Sequence, residues 1–291
     1  MVKTLSELYL EARRAFISQN EAESAGSLAR DLLCHVTGKS PEQVIADRES
    51  YVGDDICKPM GEAVAKIEEG EPLAYVLGEW DFYGMTLQVT KDVLIPRDDT
   101  CAVVELAIKH ALFLGENPRI LDLCTGSGCI GLAVASRVKD AKVTLADLSR
   151  EALAVAKHNV GLQHLSARVS CVQADAMAEP SAFLGKFDMI ISNPPYVTRQ
   201  EMEELPQSVK NFEPHMALFG GENGLDFYCS ITEKYKKALK PGGYLCYEFG
   251  MGQGDDVCRI LTENGFTIVE RTEDYNKIER AVIARYDRKD I

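Results

Sequence analysis

A chain of 291 residues, 46% hydrophobic and 26% charged, has the make-up of an ordinary globular protein with room for two domains or one large one. Its net charge of −13 is spread along the whole chain, with 8 basic against 15 acidic residues in positions 1–80, which argues against a dedicated nucleic-acid binder with a basic face. Nine cysteines form no CxxC pair and meet no histidine at ligand spacing, so they read as buried free thiols in a reducing, cytoplasmic setting, with no metal expected.

The N-terminus "MVKTLSELYLEARRAF" carries charges throughout and lacks the apolar core of a signal peptide. No apolar run approaches the length needed to cross a bilayer, so a soluble protein without membrane contact is expected. Leu5, Leu8, Ala12 and Phe16 recur at helical spacing, as do Ala25, Leu28, Ala29, Leu32, Leu33 and Val36. Ser40 and Pro41 supply a cap and a first helical residue, and 56–68 form a further amphipathic helix. Residues 1–75 are therefore a small helical bundle. From 73 to 95 aromatic and β-branched residues flank Gly84, and "VTKDV" has the composition of a turn, which predicts a linking β-hairpin.

Beyond Arg119 short apolar runs alternate with helical stretches. Strands are predicted at 119–123, 142–147, 168–174, 187–192, 243–249, 265–270 and 281–287. Helices fit at Ile130–Arg137, Arg150–Val160, Leu225–Leu239 and Asp255–Asn264. The alternation predicts an α/β fold: a doubly wound, seven-stranded, Rossmann-like parallel sheet covered by helices on both faces. Ligands of such sheets bind at the carboxyl ends of the strands, near the switch in strand order. Lys234, Lys236, Lys237 and Lys240 are a candidate basic patch, better read as the solvated end of a helix.

"RILDLCTGSGCIGLAVA" is a strand, a turn and a helix. Gly126 and Gly128 permit a tight turn and close approach of backbone to a ligand, so Cys124, Thr125, Gly126, Ser127 and Gly128 form a candidate ligand loop. It is neither GxGxxG nor a P-loop. Asp122, inside the strand, is placed to orient the loop. Asp147 ends the next strand, 21 residues after Gly126, where an acid can accept from both ribose hydroxyls. A competing role for Asp147 is the N-cap of the helix that follows. Asp175, with Ala176, ends the third strand, where it can bond an adenine amino group. These features on successive strand ends favour an adenosine-containing ligand.

The stretch "FDMIISNPPYV" ends the fourth strand on an amide and two prolines. Proline cannot donate to a sheet ladder and forces the preceding residue into an extended conformation, so the strand stops and the chain beyond it is stiff. In a doubly wound sheet this strand lies beside the first, which brings Asn193 next to the glycine loop. An amide nitrogen is a poor nucleophile, because its lone pair is delocalised into the carbonyl. Acceptors from the Asn193 side chain and the Pro194 carbonyl can hold both its N–H bonds, and Tyr196 can cover its flat face, so that positioning and desolvation supply the catalysis.

The glycine loop, two strand-end acids and Asn193-Pro194-Pro195-Tyr196 together resemble class I S-adenosylmethionine-dependent methyltransferases acting on amide or amino nitrogens. "GEPLAYVLGEWDFYGMTLQVTKDVLIPRDDT", "NFEPHMALFGGENGLDFY" and "LKPGGYLCYEFGMGQ" extend the resemblance to the release-factor glutamine methyltransferases (the HemK-like family) over nearly the whole chain. The resemblance implies transfer of a methyl group from S-adenosylmethionine to the side-chain amide nitrogen (N5) of the glutamine in the Gly-Gly-Gln motif of peptide-chain release factors. It implies a substrate-docking domain at 1–75, a hairpin and linker at 76–100, and a methyltransferase domain at 101–291. Cofactor contacts carry over to Cys124–Gly128, Asp147, Asp175, Ala176 and Asn193; the substrate clamp carries over to Asn193, Pro194, Pro195 and Tyr196, with Asn193, Pro194 and Tyr196 catalytic. A cytoplasmic monomer with a release factor as its protein partner and no direct nucleic-acid binding follows.

The family linker commonly reads "IPRPDTE", whereas Asp98 and Cys101 stand here at the second proline and the glutamate, with Arg97 and Thr100 as lid residues. Cys124 replaces the first glycine of the usual loop. Two other readings share the same motifs: methylation of a ribosomal-protein glutamine or of an exocyclic amino group in nucleic acid, and a cofactor-binding module without turnover. The acidic charge weighs against the nucleic-acid target, and the intact NPPY weighs against loss of turnover.

Overall fold

The computed structural model describes residues 2–287. The chain divides into two compact units: residues up to Glu79 together with Pro206–Phe212, and Trp80–Leu205 together with Glu213 onward.

The first unit is helical. A two-residue strand β1 (Lys3–Thr4) pairs with β2 (Tyr51–Val52) and leads into α1 (Leu5–Ser18). Thr4 caps α1 in a capping box with Glu7, and Ser40 does the same with Gln43 for α3 (Pro41–Ala46). The helices α2 (Ala25–Thr37) and α4 (Asp54–Glu68) pack with α1 over Leu8, Ala12, Phe16, Ala29, Leu32 and Met60. The expected strand from residue 73 is instead the short helix α5 (Leu73–Leu77): Pro72 sets its entry, and Gly78 stops it at φ 75°.

The second unit begins in a hairpin, β3 (Glu79–Phe82) and β4 (Met85–Gln88), turning at Tyr83 and Gly84, both with positive φ. After α6 (Cys101–Ala111) come β5 (Arg119–Leu123), α7 (Cys129–Arg137), β6 (Lys142–Asp147), α8 (Arg150–Leu162), β7 (Val169–Gln173) and β8 (Phe187–Ser192). Two short helices follow, α9 (Arg199–Glu204) and α10 (Gln207–Phe212), the latter belonging to the first unit. The chain continues as α11 (Asp226–Tyr235), β9 (Leu239–Glu248), α12 (Gly254–Glu263), β10 (Phe266–Glu273) and β11 (Glu279–Tyr286).

Seven strands form one sheet in the order β10-β11-β9-β8-β5-β6-β7. Strand order reverses at β5, which lies between β8 and β6. The central strands are buried on both faces: in β8, Met189 and Ile191 meet α6 and α7, while Phe187 and Ile190 meet α11 and α12. Each such side chain contributes about 1.5–3 kcal/mol through burial.

Two expectations about the sheet are corrected. It is not wholly parallel, because β11 runs antiparallel to both β9 and β10. Only Asp274–Ile278 joins β10 to β11, too short for the crossover that a parallel pair requires. The helix predicted to Leu239 ends at Tyr235 with a 3-10 turn over Lys236–Ala238, and β9 already begins at Leu239. Pro241 is tolerated there because the pairing with β8 is irregular between Phe187 and Met189. The cysteines also differ from expectation: all nine are free, but only Cys246 is fully buried and Cys229 is exposed.

Candidate active site

A cavity of about 140 Å³, open at one side, lies at the carboxyl ends of β5, β6, β7 and β8, where ligands of such sheets bind. One wall is built from Cys124–Ser127, Asp147, Asp175, Ala176, Asn193 and Pro195. The other comes from the linker before α6, with Arg97 and Thr100, and from Pro214, Met216 and Ala217. Most of the residues singled out in the sequence thus meet in one place. Gly128, Pro194 and Tyr196 do not line the cavity.

The loop between β5 and α7 owes its shape to alternate residues in the left-handed region, with φ of 61° at Cys124, 53° at Gly126 and 85° at Gly128. A Cβ on Gly126 would meet nothing within 4 Å, so this side of the loop is open. A Cβ on Gly128 would sit 3.0 Å from Leu145 Cδ1, so that glycine serves close packing of α7 on the sheet. Cys124 holds its conformation without glycine's freedom, at a cost of order 1–2 kcal/mol. Beneath the loop, Asp122 Oδ2 accepts from Thr125 Oγ1 at 2.6 Å and from the Gly131 N–H at 2.9 Å, the orienting role its position suggested.

Asp147 Oδ2 accepts from the Gly126 N–H at 2.9 Å and Oδ1 from the Ser149 N–H at 3.0 Å. The N-cap of α8 is Ser149, whose hydroxyl accepts from Ala152, so Asp147 is not the cap. The Asp147 carboxylate, which takes its backbone bonds from Gly126, Ser149 and Leu148, stands among the residues of the cavity wall and has acceptor capacity beyond those three. Burial raises its pKa, while the backbone N–H groups oppose the rise. Asp175 Oδ1 accepts from the Met177 N–H at 2.7 Å, and Tyr235 donates to the Asp175 carbonyl at 2.9 Å, which fixes the strand-end turn at the wall.

Register places Ser192 of β8 between Leu123 of β5 and Tyr247 of β9. The next residue, Asn193, therefore emerges beside the glycine loop. Its Nδ2 lies 3.5 Å from Thr100 Oγ1. Pro194 is buried. Burial and the nearby Glu248 carboxylate push the Tyr196 hydroxyl well above the ordinary range. The chain beyond is clamped by Val197 N–H to Leu218 O and Gly220 N–H to Val197 O, both 2.9 Å, and by Gln253 Nε2 donating to Tyr196 O at 3.1 Å.

Sequence reasoning missed the groups that hold the two walls. Glu213 is buried, accepts from the Ile95 N–H at 3.3 Å and pairs with Arg97. A charged residue amid "NFEPHMAL", just before a proline, was the available signal. Glu248, the buried end of β9, was likewise passed over. The candidate basic patch is spent locally: Lys234 bonds Met177 O, Lys236 bonds Asn264, and Lys237 and Lys240 pair with Glu179 and Asp188.

Burial pushes the Asp122 carboxyl up to about 7, against the pull of its two donors. A folded-state value above the unfolded one of about 3.9 means that the native state binds the extra proton. This group therefore favours folding less and less as pH rises from about 4 to about 7. We expect the melting temperature of Asp122→Asn minus that of the wild type to grow across that window and level off above it. A difference flat in pH would contradict the assignment.

Residues 7–78 match the family described as PrmC N-terminal domain, and residues 105–211 match Methyltransferase small domain. A release factor glutamine methyltransferase from Clostridium acetobutylicum is 37% identical over 253 residues, 87% of this chain and 88% of that protein. One from Escherichia coli K12 is 37% identical over 277 residues, 94% and 97% of the two chains. Among solved structures, a methyltransferase from Pyrococcus furiosus has a TM-score of 0.51 at 16% identity, covering 81% of this chain and 100% of that one. The hMettl16 catalytic domain in complex with the MAT2A 3'UTR hairpin 6 has a TM-score of 0.56 at 16% identity, covering 79% and 83%. At such identities the solved structures bear on the fold alone.

Proposed function

The chain belongs to the release factor glutamine methyltransferase family, and from that premise we infer that its cavity methylates the N5 amide nitrogen of the Gly-Gly-Gln glutamine of peptide-chain release factors, with S-adenosylmethionine as donor. The observation that carries this reading is the placement of Asn193, an amide emerging at the carboxyl end of a buried strand beside the glycine loop.

The residues present fit the donor. Asp147 keeps spare lone pairs for ribose hydroxyls, the Gly126 side of the loop is open, and Asp175 and Ala176 bound the part of the cavity suited to adenine. When bound, S-adenosylmethionine supplies a methyl group on a positively charged sulfonium. Asn193 Oδ1 accepts one N–H bond of the substrate amide; we assign the other to the Pro194 carbonyl, which requires the buried Pro194 to become accessible when the substrate docks. The stiffness of Pro194-Pro195 keeps those acceptors fixed, so orientation is prepaid before the substrate arrives. The surplus proton of the methylated amide passes to water, with no strong base required. We assign the helical unit to release-factor docking. Every residue invoked comes from one chain, so a monomer suffices, and a substrate in the translation machinery makes the cytoplasm the place of work. Among the described residues no helix is long and apolar enough to cross a membrane.

Incubation with S-adenosylmethionine and a purified unmethylated release factor, followed by mass spectrometry, tests the reading: one methyl on the Gly-Gly-Gln glutamine supports it. Methylation confined to another protein or to nucleic acid overturns the substrate, and no transfer to any acceptor overturns the reaction. Within the same reading, we expect Asp147→Ala to weaken S-adenosylmethionine binding by roughly 1–3 kcal/mol, because ribose and loop lose a charged acceptor together. Calorimetry showing unchanged affinity would remove Asp147 from the cofactor site.

A further inference from the structure

We propose that Glu248 is a positioning residue that decides which end of the Asn193 amide faces the cavity. The proposal rests on the glutamine-methylating reading of that cavity. It starts from register: Ser192 of β8 pairs with Tyr247 of β9, so the next residues along these parallel strands, Asn193 and Glu248, are neighbours at the sheet's carboxyl edge. Glu248 is 2% exposed, and its Oε2 is buried without a hydrogen-bond partner. The Asn193 amide and the Thr100 hydroxyl both lie against this carboxyl group.

An asparagine amide has two ends of nearly equal shape and opposite chemistry, one donating and one accepting. The Thr100 hydroxyl, 3.5 Å from Asn193 Nδ2, both donates and accepts, so by itself it selects neither end. An ionised carboxylate only accepts. Glu248 therefore draws the NH2 end of Asn193 away from the cavity and leaves Oδ1 toward it, as the clamp requires. A flipped amide would set donors against the N–H bonds of the substrate. Burial pushes the Glu248 carboxyl up to about 7, against the pull of Thr100, Arg280 and Asn193, so the acceptor-only form prevails above that pH; Arg280 also bonds Asp99 at 3.0 Å and Asp274 at 2.9 Å. Glu248 itself is not among the cavity-lining residues, so its effect passes through Asn193.

The test compares wild type, Glu248→Met and Glu248→Gln in methyl transfer to a purified unmethylated release factor, alongside S-adenosylmethionine affinity by calorimetry and melting temperature. Methionine keeps the volume and removes the acceptor, whereas glutamine keeps a carbonyl acceptor. The expected result is a kcat for Glu248→Met lowered about 10- to 100-fold, as for loss of an orienting polar group. Cofactor affinity and KM for the release factor stay near wild type. The melting temperature holds or rises, because a buried and incompletely bonded carboxylate has been removed. Glu248→Gln recovers most of kcat. The proposal is overturned by wild-type kcat in Glu248→Met, by equal loss in both variants, or by a kcat loss that tracks lost stability or cofactor binding. A wild-type protein that leaves the release factor unmethylated would instead overturn the functional reading itself.

Discussion

We expect Asn193→Ala to lower methyl transfer to a release factor by about 10²-fold or more while S-adenosylmethionine binds within a few-fold of wild type. The side chain stands at the cavity wall, but the loop and strand-end acids proposed to hold the donor are built from other residues and do not depend on it for their hydrogen bonds. Truncation removes one of the two acceptors that aim the substrate nitrogen, and a cavity then admits a water or lets the amide turn. The loss should fall on kcat, since this interaction matters most as the nitrogen leaves planarity. Single-turnover assays with saturating donor separate the two steps. A variant that transfers at the wild-type rate would remove Asn193 from the clamp.

Gly220→Ala should be nearly as damaging, although Gly220 does not line the cavity. A Cβ there would lie 2.5 Å from Pro195 O and 2.6 Å from Tyr196 Cα, against backbone that has no rotamer to escape into. The NPPY segment must shift to make room, and the Gly220–Val197 bond that sets its exit path shifts with it. Overpacking of this kind costs about 1–3 kcal/mol of stability. A displacement of about 1 Å in a positioning group costs roughly 10²-fold in rate. We therefore expect both a lowered melting temperature and a kcat loss that persists well below it. Activity that returns fully at low temperature would mean that the clamp tolerates the shift.

What could be recognised without coordinates was whatever leaves a local trace. Strands β5 and β8 show themselves because both of their faces are buried, so they are written as mainly apolar runs, interrupted only by Asp122 and Asp188. Asp147 and Asn193 stand out because a polar residue ending such a run is costly unless used. The direction of β11 left no trace, since a strand buried on both faces has the same composition either way up. Helix α5 was hidden for a related reason: five apolar residues fit a strand or a helical turn, and Pro72 and Gly78 decide only once their backbone angles are known. The far wall was beyond local reach altogether. Arg97 and Glu213 are 116 positions apart, and nothing near either announces the other.

Cys124 carries a consequence for chemical self-protection. Cys124 and Cys129 line the cavity proposed to take the methyl donor, an alkylating agent. Thiolates, not thiols, are the nucleophiles that such an agent would consume. Burial, reinforced by the charge on Asp147, pushes the Cys124 thiol far above the ordinary range, and burial beside Asp122 pushes Cys129 up to about 12. Both sulfurs stay protonated at neutral pH. Burial first, and then the acids that organise the loop, weigh against either cysteine acting as a methyl acceptor beside the proposed methylating centre.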